Sequence, residues 1–365
     1  MKLDRSIEAV SGLVLLLAIS VATVPVTAQE FTAVERLYAE LAKLPPAERT
    51  ARLYEGAKKE GEFTLTRGYA GAEGIAHLRL FEARYPGVSV KFENMPSQKS
   101  VERVIAEATA GRYLTDISSS TGSDLRLMLE RQIAARNPTP EVSRILPQFR
   151  GFIDPTGQNR YVPWYATTQG IAYNTNLLSK EDAPKSWSDL CNPKYKGMMS
   201  FEPGEPRWLT GVYHIFGDDM EKTRAFLECI GKNEPIVMFG HISRVTLMMA
   251  GDHAMSPNTL LYRGVFDNRQ NPRKAPFAPV YEAPVFMDSV NLNIVKNAPH
   301  PHAAALHVDW CLSEESQAYI HSKFRETVSY KHPFLPDDAQ IVVNSFVDKQ
   351  VVDQLLDFWR QYVKK

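Results

Sequence analysis

Four arginines on or beside predicted loops and strand ends are the residues whose chemistry is easiest to interpret. A guanidinium group presents a planar fork of donors that matches a carboxylate, phosphate or phosphonate. The pattern therefore predicts an anionic ligand, while the alternative is that these are ordinary surface arginines that bind nothing. The four positions are Arg67, Arg207, Arg244 and Arg263.

A run of hydroxyl residues, SSSTGS at 118–123, follows a short predicted strand and precedes a predicted helix. In open α/β sheets the loops and helix N-termini at the carboxyl ends of strands bind ligands. Helix capping accounts for one hydroxyl side chain, but not for four in succession. This loop and the loop at 66–69 therefore contribute candidate ligand contacts, which are Ser119, Ser120, Thr121, Arg67 and Tyr69.

Motifs of catalysis and metal binding are missing from the sequence. It contains no G-x-S-x-G elbow, H-E-x-x-H pair, phosphate loop with lysine or EF-hand pattern. We therefore expect neither an enzyme nor a cofactor, and a secreted hydrolase is kept as an alternative. His300, His302 and His307 suggest a metal site only as a minor alternative, because the prolines at 299 and 301 mark the start of a helix.

The first 28 residues predict a secretory signal peptide. Basic residues precede the apolar run at 13–19, and small residues at 26–28 end it. A retained membrane anchor is the alternative, although the apolar stretch is shorter than the roughly 20 residues that a spanning helix needs. We expect a periplasmic protein whose mature chain begins at Gln29.

Length and charge restrict the choice of partners. The chain has 365 residues, with 42 basic and 42 acidic side chains. At about 100 to 200 residues per domain, the mature part is long enough for two domains. Because the formal charge is balanced, nothing predicts nucleic acid as a partner. We expect a small-molecule ligand and a monomeric protein.

The apolar pattern predicts an α/β protein. A helical segment covers 29–60 and is broken at two prolines, 45 and 46. Strands at 62–66 and 88–92 with a helix between them form a β-α-β unit, which implies parallel pairing. A second group of strands and helices begins after residue 165, with a strand at 170–174 and a Pro/Gly loop at 202–207.

Several segments resemble the periplasmic solute-binding proteins of ferric-iron-type ABC importers, within the type II periplasmic binding protein fold. They occur in the family's order between about residue 61 and residue 317. The segments are FEARYPGV at 81–88, GIAYNTNL at 170–177, APKSWSDL at 183–190, NPKYKG at 192–197, KNAPHP at 296–301 and SEESQ at 313–317.

The resemblance implies two lobes, each with a mixed, mostly parallel sheet flanked by helices, which close over a ligand at the hinge. By this analogy the chain crosses near Thr168 and returns near Asn291. We expect an N-lobe of 61–168 plus 290–335 and a C-lobe of 169–289 plus 336–365. The implied partner is the inner-membrane ABC permease.

Further site and bridge candidates follow from this fold. Tyr165 and Thr168 lie at the expected hinge, where they either contact the ligand or only pack. Glu202 begins the Pro/Gly loop and is a candidate contact. Cys191 and Cys229 share the expected C-lobe, where an oxidising compartment allows a disulfide; whether they are bridged stays open.

The ligand itself is the open question. Ferric binders of the family place two adjacent tyrosines after an Ala-Gly-Asp/Glu turn. Here the turn at 250–252 is followed by Leu261 and Tyr262, so one phenolate is missing and Arg263 adds positive charge. We predict a small organic or phosphorylated anion with Tyr262 as a hydrogen-bond donor, and ferric ion as the alternative, in which Tyr262 would be a metal ligand.

Overall fold

Two long strands that pair side by side form the centre of the sheet. The structure is a computed structural model that describes residues 30–67, 69, 71–323, 325–344 and 347–363, apart from the side chains of Ser97 and Ser123. The predicted signal peptide lies outside these residues. From Thr32 onward the chain belongs to one compact unit.

The secondary structure alternates between strands and helices. The helices are α1 (Ala33–Leu41), α2 (Pro46–Glu60), α3 (Gly71–Arg84), α4 (Ser97–Thr109), α5 (Gly122–Glu130), α6 (Pro206–Ile215), α7 (Met220–Lys232), α8 (His241–Ala250), α9 (Leu261–Gln270), α10 (Pro301–Cys311), α11 (Glu314–Ser322) and α12 (Lys349–Tyr362). The strands are β1 (Glu62–Thr66), β2 (Ser89–Glu93), β3 (Ile117–Ser120), β4 (Val162–Tyr173), β5 (Ser200–Phe201), β6 (Ile236–Val237), β7 (Met255–Leu260), β8 (Ala278–Pro279), β9 (Val285–Ile294), β10 (Glu326–Thr327) and β11 (Ile341–Val343).

The main sheet of the described residues has nine strands in the order β10-β4-β9-β3-β1-β2. Strand β11 pairs with β9, and β7 and β8 pair with β4. The β1–β2, β1–β3 and β9–β11 pairs are parallel, whereas β4 and β9 pair antiparallel with each other and with most of their neighbours. A second, two-stranded sheet consists of β5 and β6. Antiparallel pairing is thus more extensive than the sequence suggests.

Local sequence explains where the first helices begin and end. A capping box of Thr32 and Glu35 starts α1, so that orphan amides at its N-terminus are bonded. Pro46 starts α2, where a proline removes no helical hydrogen bond. Gly61 ends α2 with a positive φ of 79°, which a residue without Cβ adopts at little cost. The chain then enters β1 directly.

The apolar side chains form two large clusters. One surrounds β1, α3 and α10 and contains Phe63, Phe81 and Trp310. The other surrounds α6, α7 and α12 and contains Trp208 and Trp359, whose ring centroids lie 5.6 Å apart. Helix α12 therefore packs with the second cluster. The first cluster also includes residues of the expected C-lobe, such as Val245 and Leu261, so the two clusters do not coincide with the two expected lobes.

The cysteines have different states. Cys191 and Cys229 form a disulfide, with Cα atoms 5.3 Å apart, within the range that a bridge requires. Cys311 is a buried free thiol in α10. A bridge across 38 residues removes about 4 kcal/mol of loop entropy from the unfolded chain in the entropic description.

Candidate functional site

Three adjacent strands place polar residues side by side at the middle of the sheet. In the register of β3 and β9, Ser120 lies opposite Asn291. In the register of β4 and β9, Thr167 lies opposite Asp288. The carboxyl end of β3 therefore meets the second half of β9, near the start of β4 and beside the N-terminus of α5.

Arg67 follows β1 directly and has a left-handed backbone, with a φ of +53°. Such a conformation is uncommon for a side chain other than glycine, asparagine or aspartate, and it tends to occur at functional sites. The Nη1 atom of Arg67 reaches the carbonyl oxygen of Ser119 at 3.4 Å and its Oγ atom at 3.5 Å. These contacts are long, so the donor capacity of Arg67 is largely unused.

Arg207 approaches the same place from the first turn of α6. Its Cγ atom would lie 3.4 Å from a Cβ atom added at Gly122, the first residue of α5, so the two helix starts are in contact. The Arg207 side chain is 22% exposed. Burial lowers the pKa of the Arg67 guanidinium, and the charge of Arg207 lowers it further. Two cations thus repel each other at the start of a helix.

Glu205 partly neutralises Arg207. Its Oε1 atom accepts a hydrogen bond from Arg207 Nη2 at 2.5 Å and one from Gln169 Nε2 at 3.1 Å, and it lies 3.3 Å from His241 Nε2. Burial alone would raise the pKa of Glu205, but the charges of Arg207 and His241 outweigh burial and lower the pKa to about 2. Its Oε2 atom is buried without a partner among the described residues.

Three tyrosine rings surround one arginine. The Arg325 guanidinium carbon lies 3.9 Å from the ring centroid of Tyr262, 4.9 Å from that of Tyr69 and 5.9 Å from that of Tyr165. All three distances are within the range of a cation–π interaction. Burial raises the pKa of Tyr262 in spite of the opposing effect of Arg325. The tyrosine cluster already contains a cation.

The hinge residue Thr168 is held by a buried network beside this cluster. Its amide donates to Glu326 Oε1 at 2.9 Å, and its hydroxyl lies 2.9 Å from His332 Nε2. The backbone amides of Phe334 and Leu335 donate to His332 Nδ1, so Nε2 carries the proton and donates to Thr168. The hydroxyl of Thr168 is thereby occupied within the protein.

A cavity of about 230 Å³ opens beside Arg207. Its walls include the start of α5, the first turns of α6 and the middle of β9, with Gly122, Arg126, Asp288, Asn291 and Asn344. Burial raises the pKa of Asp288, and the neighbouring Glu205 raises it further, to about 7 in spite of Arg207.

Comparison with protein families agrees with this geometry. The family model described as bacterial extracellular solute-binding protein matches residues 78–332. This range is more than half of the chain. The protein belongs to that family. Family members bind small ligands outside the cytoplasm and deliver them to ABC permeases, and they are transport proteins rather than enzymes in general.

Solved structures show the same fold at low sequence identity. Iron-bound HitA from Pseudomonas aeruginosa superposes with a TM-score of 0.67 at 19% identity, covering 82% of this chain and 99% of HitA. FutA from Trichodesmium with iron and citrate gives 0.67 at 15%, covering 84% and 100%. AfuA from Actinobacillus pleuropneumoniae with fructose-6-phosphate gives 0.64 at 19%, covering 84% and 99%. No curated protein matches the sequence significantly.

These findings confirm the two-lobed type II binding-protein fold predicted for this solute-binding protein. Among the described helices, none combines the length and apolar character of a membrane span. Within the same described part of the chain, no three His, Cys, Asp or Glu side chains are grouped to hold a metal ion.

The structure places the Arg244 side chain among protein partners and away from solvent. This side chain is 0% exposed and is bonded within the protein. Its Nε atom also lies 3.5 Å from the Glu202 carboxylate, which in turn accepts the amide of Gly240. Arg244 and Glu202 therefore hold α8 against β5 and β7. The acceptors of Arg244 are Ser200 O at 3.1 Å, Ser256 Oγ at 2.8 Å, Asn258 O at 2.7 Å and His241 Nδ1 at 3.1 Å.

Arg263 and Ser120 also differ from the sequence-based assignment. Arg263 is 44% exposed and pairs with Asp267 one turn later in α9, at 2.8 Å. Ser120 belongs to β3, as do the two serines before it, and its hydroxyl donates to Asn293 Oδ1 at 2.5 Å. The hydroxyl of Ser120 therefore has a protein partner, and Arg263 forms an exposed ion pair within α9. The residues that do lie together are Arg67, Ser119, Thr121 and Arg207, with Tyr69, Tyr165 and Tyr262 in the second cluster.

Sequence reasoning missed four residues of the site. Glu205 was hidden because a Pro/Gly loop was expected where α6 begins. Arg325 has no neighbouring motif, and only the fold brings it to the tyrosines. A signal did exist for Asp288 and Asn291, because polar residues within a strand that the sheet buries on both faces are unusual.

Proposed function

We propose that this periplasmic solute-binding protein captures a small organic or phosphorylated anion between its two lobes and delivers it to an inner-membrane ABC permease. It acts as a monomer and does not alter the ligand chemically. The observation that carries the proposal is the pair formed by Arg67 and Arg207 at the N-terminus of α5. Both guanidinium groups have donors that the protein leaves available.

An acid group between these side chains would meet three favourable contributions. The two guanidinium groups supply charged donors, and the first amides of α5 supply further donors with the positive end of the helix dipole. Thr121 precedes α5 without capping it, so no side chain of its own competes at that position. A negative charge there would also relieve the repulsion between Arg67 and Arg207.

The site connects segments that we assign to different lobes. Arg67 and α5 belong to the expected N-lobe at 61–168 plus 290–335. Arg207 and α6 belong to the expected C-lobe at 169–289 plus 336–365, with the hinge at β4 and β9. An anion bound by both arginines would link the lobes and stabilise the closed arrangement, since it contacts both only when they meet.

Ferric ion is the alternative, because similar structures include iron-bound proteins. The cluster of Tyr69, Tyr165 and Tyr262 argues against it, since Arg325 lies over the rings and would repel a trivalent cation. Burial also raises the pKa of Tyr262, which opposes the phenolate that iron requires. We propose that Tyr262 instead donates a hydrogen bond to the anion.

A ligand screen on the mature protein tests the proposal. Thermal unfolding is followed with inorganic phosphate, fructose 6-phosphate, citrate and ferric ion, because a ligand that binds only the folded state raises the melting temperature with concentration. We expect stabilisation by at least one of the anions, and its loss when both Arg67 and Arg207 are replaced by Met. A tyrosinate-to-iron absorption band on ferric titration, absent in Tyr262→Phe, would instead establish iron as the ligand.

A further inference from the structure

The cavity beside Arg207 is lined by hydrogen-bond acceptors that the protein does not use. Asp288 and Asn291 are 3% and 1% exposed. The Oδ2 atom of Asp288, the Oδ1 atom of Asn291 and the Oδ1 atom of Asn344 are all buried and have no partner among the described residues. Each buried acceptor without a partner is unfavourable. Three of them around one cavity indicate a ligand that donates hydrogen bonds.

The orientation of the Asn344 amide is fixed by the partners of its donor group. Asn344 Nδ2 donates to Asp288 Oδ1 at 2.7 Å and to the carbonyl oxygen of Arg207 at 2.8 Å. Asn291 Nδ2 donates to Ser289 Oγ at 2.9 Å and reaches the carbonyl oxygen of the same residue at 3.4 Å. Turning the Asn344 amide would direct its oxygen at two acceptor atoms, whereas a turned Asn291 amide would direct its oxygen at the Ser289 hydroxyl, which can also donate. The cavity therefore presents oxygen atoms, while the amide donors are occupied.

Hydroxyl, amide and ammonium groups can all donate to such oxygens. The cavity wall also includes two guanidinium side chains, Arg126 and Arg207. Their two positive charges outnumber the single carboxylate of Asp288 on the same wall, which disfavours an ammonium group. A hydroxyl group is neutral and can accept from one of these arginines while it donates to Asp288 or Asn291. The charges on the wall thus favour hydroxyl groups.

The cavity adjoins the proposed anion site, because Arg207 and Gly122 belong to both. We propose that it is a second subsite that binds the hydroxyl groups of a polyol, whose acid group is held by Arg67 and Arg207. This inference rests on the proposed function and narrows the ligand to a polyhydroxylated acid, such as a polyol or sugar phosphate. The acceptors would then select against anions that lack hydroxyl groups.

Three phosphate monoesters of similar size separate the possibilities in calorimetric titrations at pH 8. Propyl phosphate has no donor on its chain, glycerol 3-phosphate has two hydroxyl groups, and 3-aminopropyl phosphate has an ammonium group. We expect glycerol 3-phosphate to bind about 10- to 100-fold more tightly than propyl phosphate, since bonds to a charged acceptor contribute most. Tightest binding of the aminopropyl ester would overturn the choice of hydroxyl groups.

Substitutions of single acceptors test which residues cause the preference for glycerol 3-phosphate over propyl phosphate. Asn291→Leu and Asp288→Leu each remove an unused acceptor, and either should reduce the preference for glycerol 3-phosphate over propyl phosphate to less than about threefold. Asn293→Leu is a matched control two residues along β9, because the oxygen of Asn293 already accepts from Ser120. It should keep the preference. The melting temperature of each variant verifies that it folds. Because two acceptor variants are made, the test remains possible when one of them does not fold.

The outcomes distinguish this inference from the proposed function. Equal binding of all three esters, with loss of binding in Arg207→Met, would retain the anion site and reject the polyol subsite. Failure of inorganic phosphate and all three esters to bind would reject the inference, and the ligand screen above would then decide the proposed function. If Asn293→Leu loses the preference for glycerol 3-phosphate to the same extent as the two acceptor variants, the preference depends on the general packing of β9, and the subsite is rejected.

Discussion

Arg244 and Arg207 are two arginines with opposite surroundings. Arg244 is 0% exposed and directs its donors to two carbonyl oxygens, a hydroxyl and an imidazole. Arg207 is 22% exposed and donates to a single carboxylate oxygen, that of Glu205. Arg244 has four protein acceptors, although its Nε atom has no hydrogen-bond partner among the described residues, whereas Arg207 has one acceptor and leaves donors available. The use of each donor, not the residue type, distinguishes a structural arginine from a binding one.

The same contrast applies to the acceptors. Around Arg244, the carbonyl oxygens of Ser200 and Asn258 are bonded to its guanidinium. Around the cavity beside Arg207, three buried oxygens have no partner within the described chain. The Nε atom of Arg244 and the Nδ2 atom of Asn258 are also buried without a partner, so the contrast between the two regions concerns the oxygen acceptors and not every polar atom.

The largest effect that the comparison predicts is on stability. Arg244→Met should lower the free energy of unfolding by about 3 to 5 kcal/mol, because it leaves the Glu202 carboxylate and two buried carbonyl oxygens without their partner. Urea unfolding of the ligand-free protein measures this change. An unfolding midpoint close to that of the wild type would show that Arg244 is not structural.

Arg207→Met should act on binding instead. Losing a charged partner from a desolvated site costs about 2 to 5 kcal/mol, which corresponds to roughly 30- to 4,000-fold in affinity. The free energy of unfolding without ligand should change much less than in Arg244→Met. Titration with the best ligand from the screen, alongside urea unfolding, provides both values. If Arg207→Met lowers the free energy of unfolding but leaves ligand affinity unchanged, the two arginines do not differ in the way proposed.

The buried Asp288 in the cavity wall should make the stability of the protein depend on pH. The folded pKa of Asp288 is about 7, above its ordinary value of 3.8, so ionisation opposes folding. Protonated Asp288 contributes to the free energy of unfolding in full below pH 3.8, and this contribution is lost as the pH rises through 7. Asp288→Asn should therefore gain stability relative to the wild type between pH 5 and pH 8, by at most about 1.4 kcal/mol for each pH unit between 5 and 7.

Urea unfolding at both pH values measures this gain. Glu326, whose pKa burial also raises to about 7, has the same sign and stays in the variant, so only the difference from the wild type is informative. The exposed Asp338 provides the control, because Asp338→Asn makes the same substitution where the side chain is not buried. A constant difference for Asp288→Asn would contradict a buried carboxylate at this position.

The smallest effect is expected on the surface of α9. Arg263→Met removes an exposed ion pair with Asp267, which is worth about 0 to 1 kcal/mol, and leaves binding unchanged. Urea unfolding and ligand titration measure the change in stability and in affinity, and both are compared with those of Arg244→Met and Arg207→Met. Weakened binding in Arg263→Met would return this residue to the site, where the sequence placed it.

Regular features of the fold were predictable because they depend on short-range patterns. Strand β1 ends at Thr66 as its apolar alternation indicates, and α2 begins at the second of two prolines. Helix α6 was missed because Pro206 reads as a loop residue, although a proline at the first helical position is favourable. The hydroxyl run was expected in a loop, but three of its serines pair with β9.

The site was less predictable because it depends on which groups already have partners. Arg67 and Arg207 were identified from their type and from nearby loops, and so were Arg244 and Arg263. Nothing in one sequence reveals that Ser200 and Asn258 occupy the donors of Arg244, since these contacts span 44 and 14 residues.

By itself, the sequence determined the family, the fold class and the expectation of a small ligand, because colinear motifs and apolar periodicity are local properties. Only the tertiary structure decided that Arg325 lies among three tyrosines and that Asp288, Asn291 and Asn344 share one cavity. Such groupings join residues far apart in the chain, and burial then determines which of their polar atoms remain without a partner. The chemistry of the site depends on those atoms.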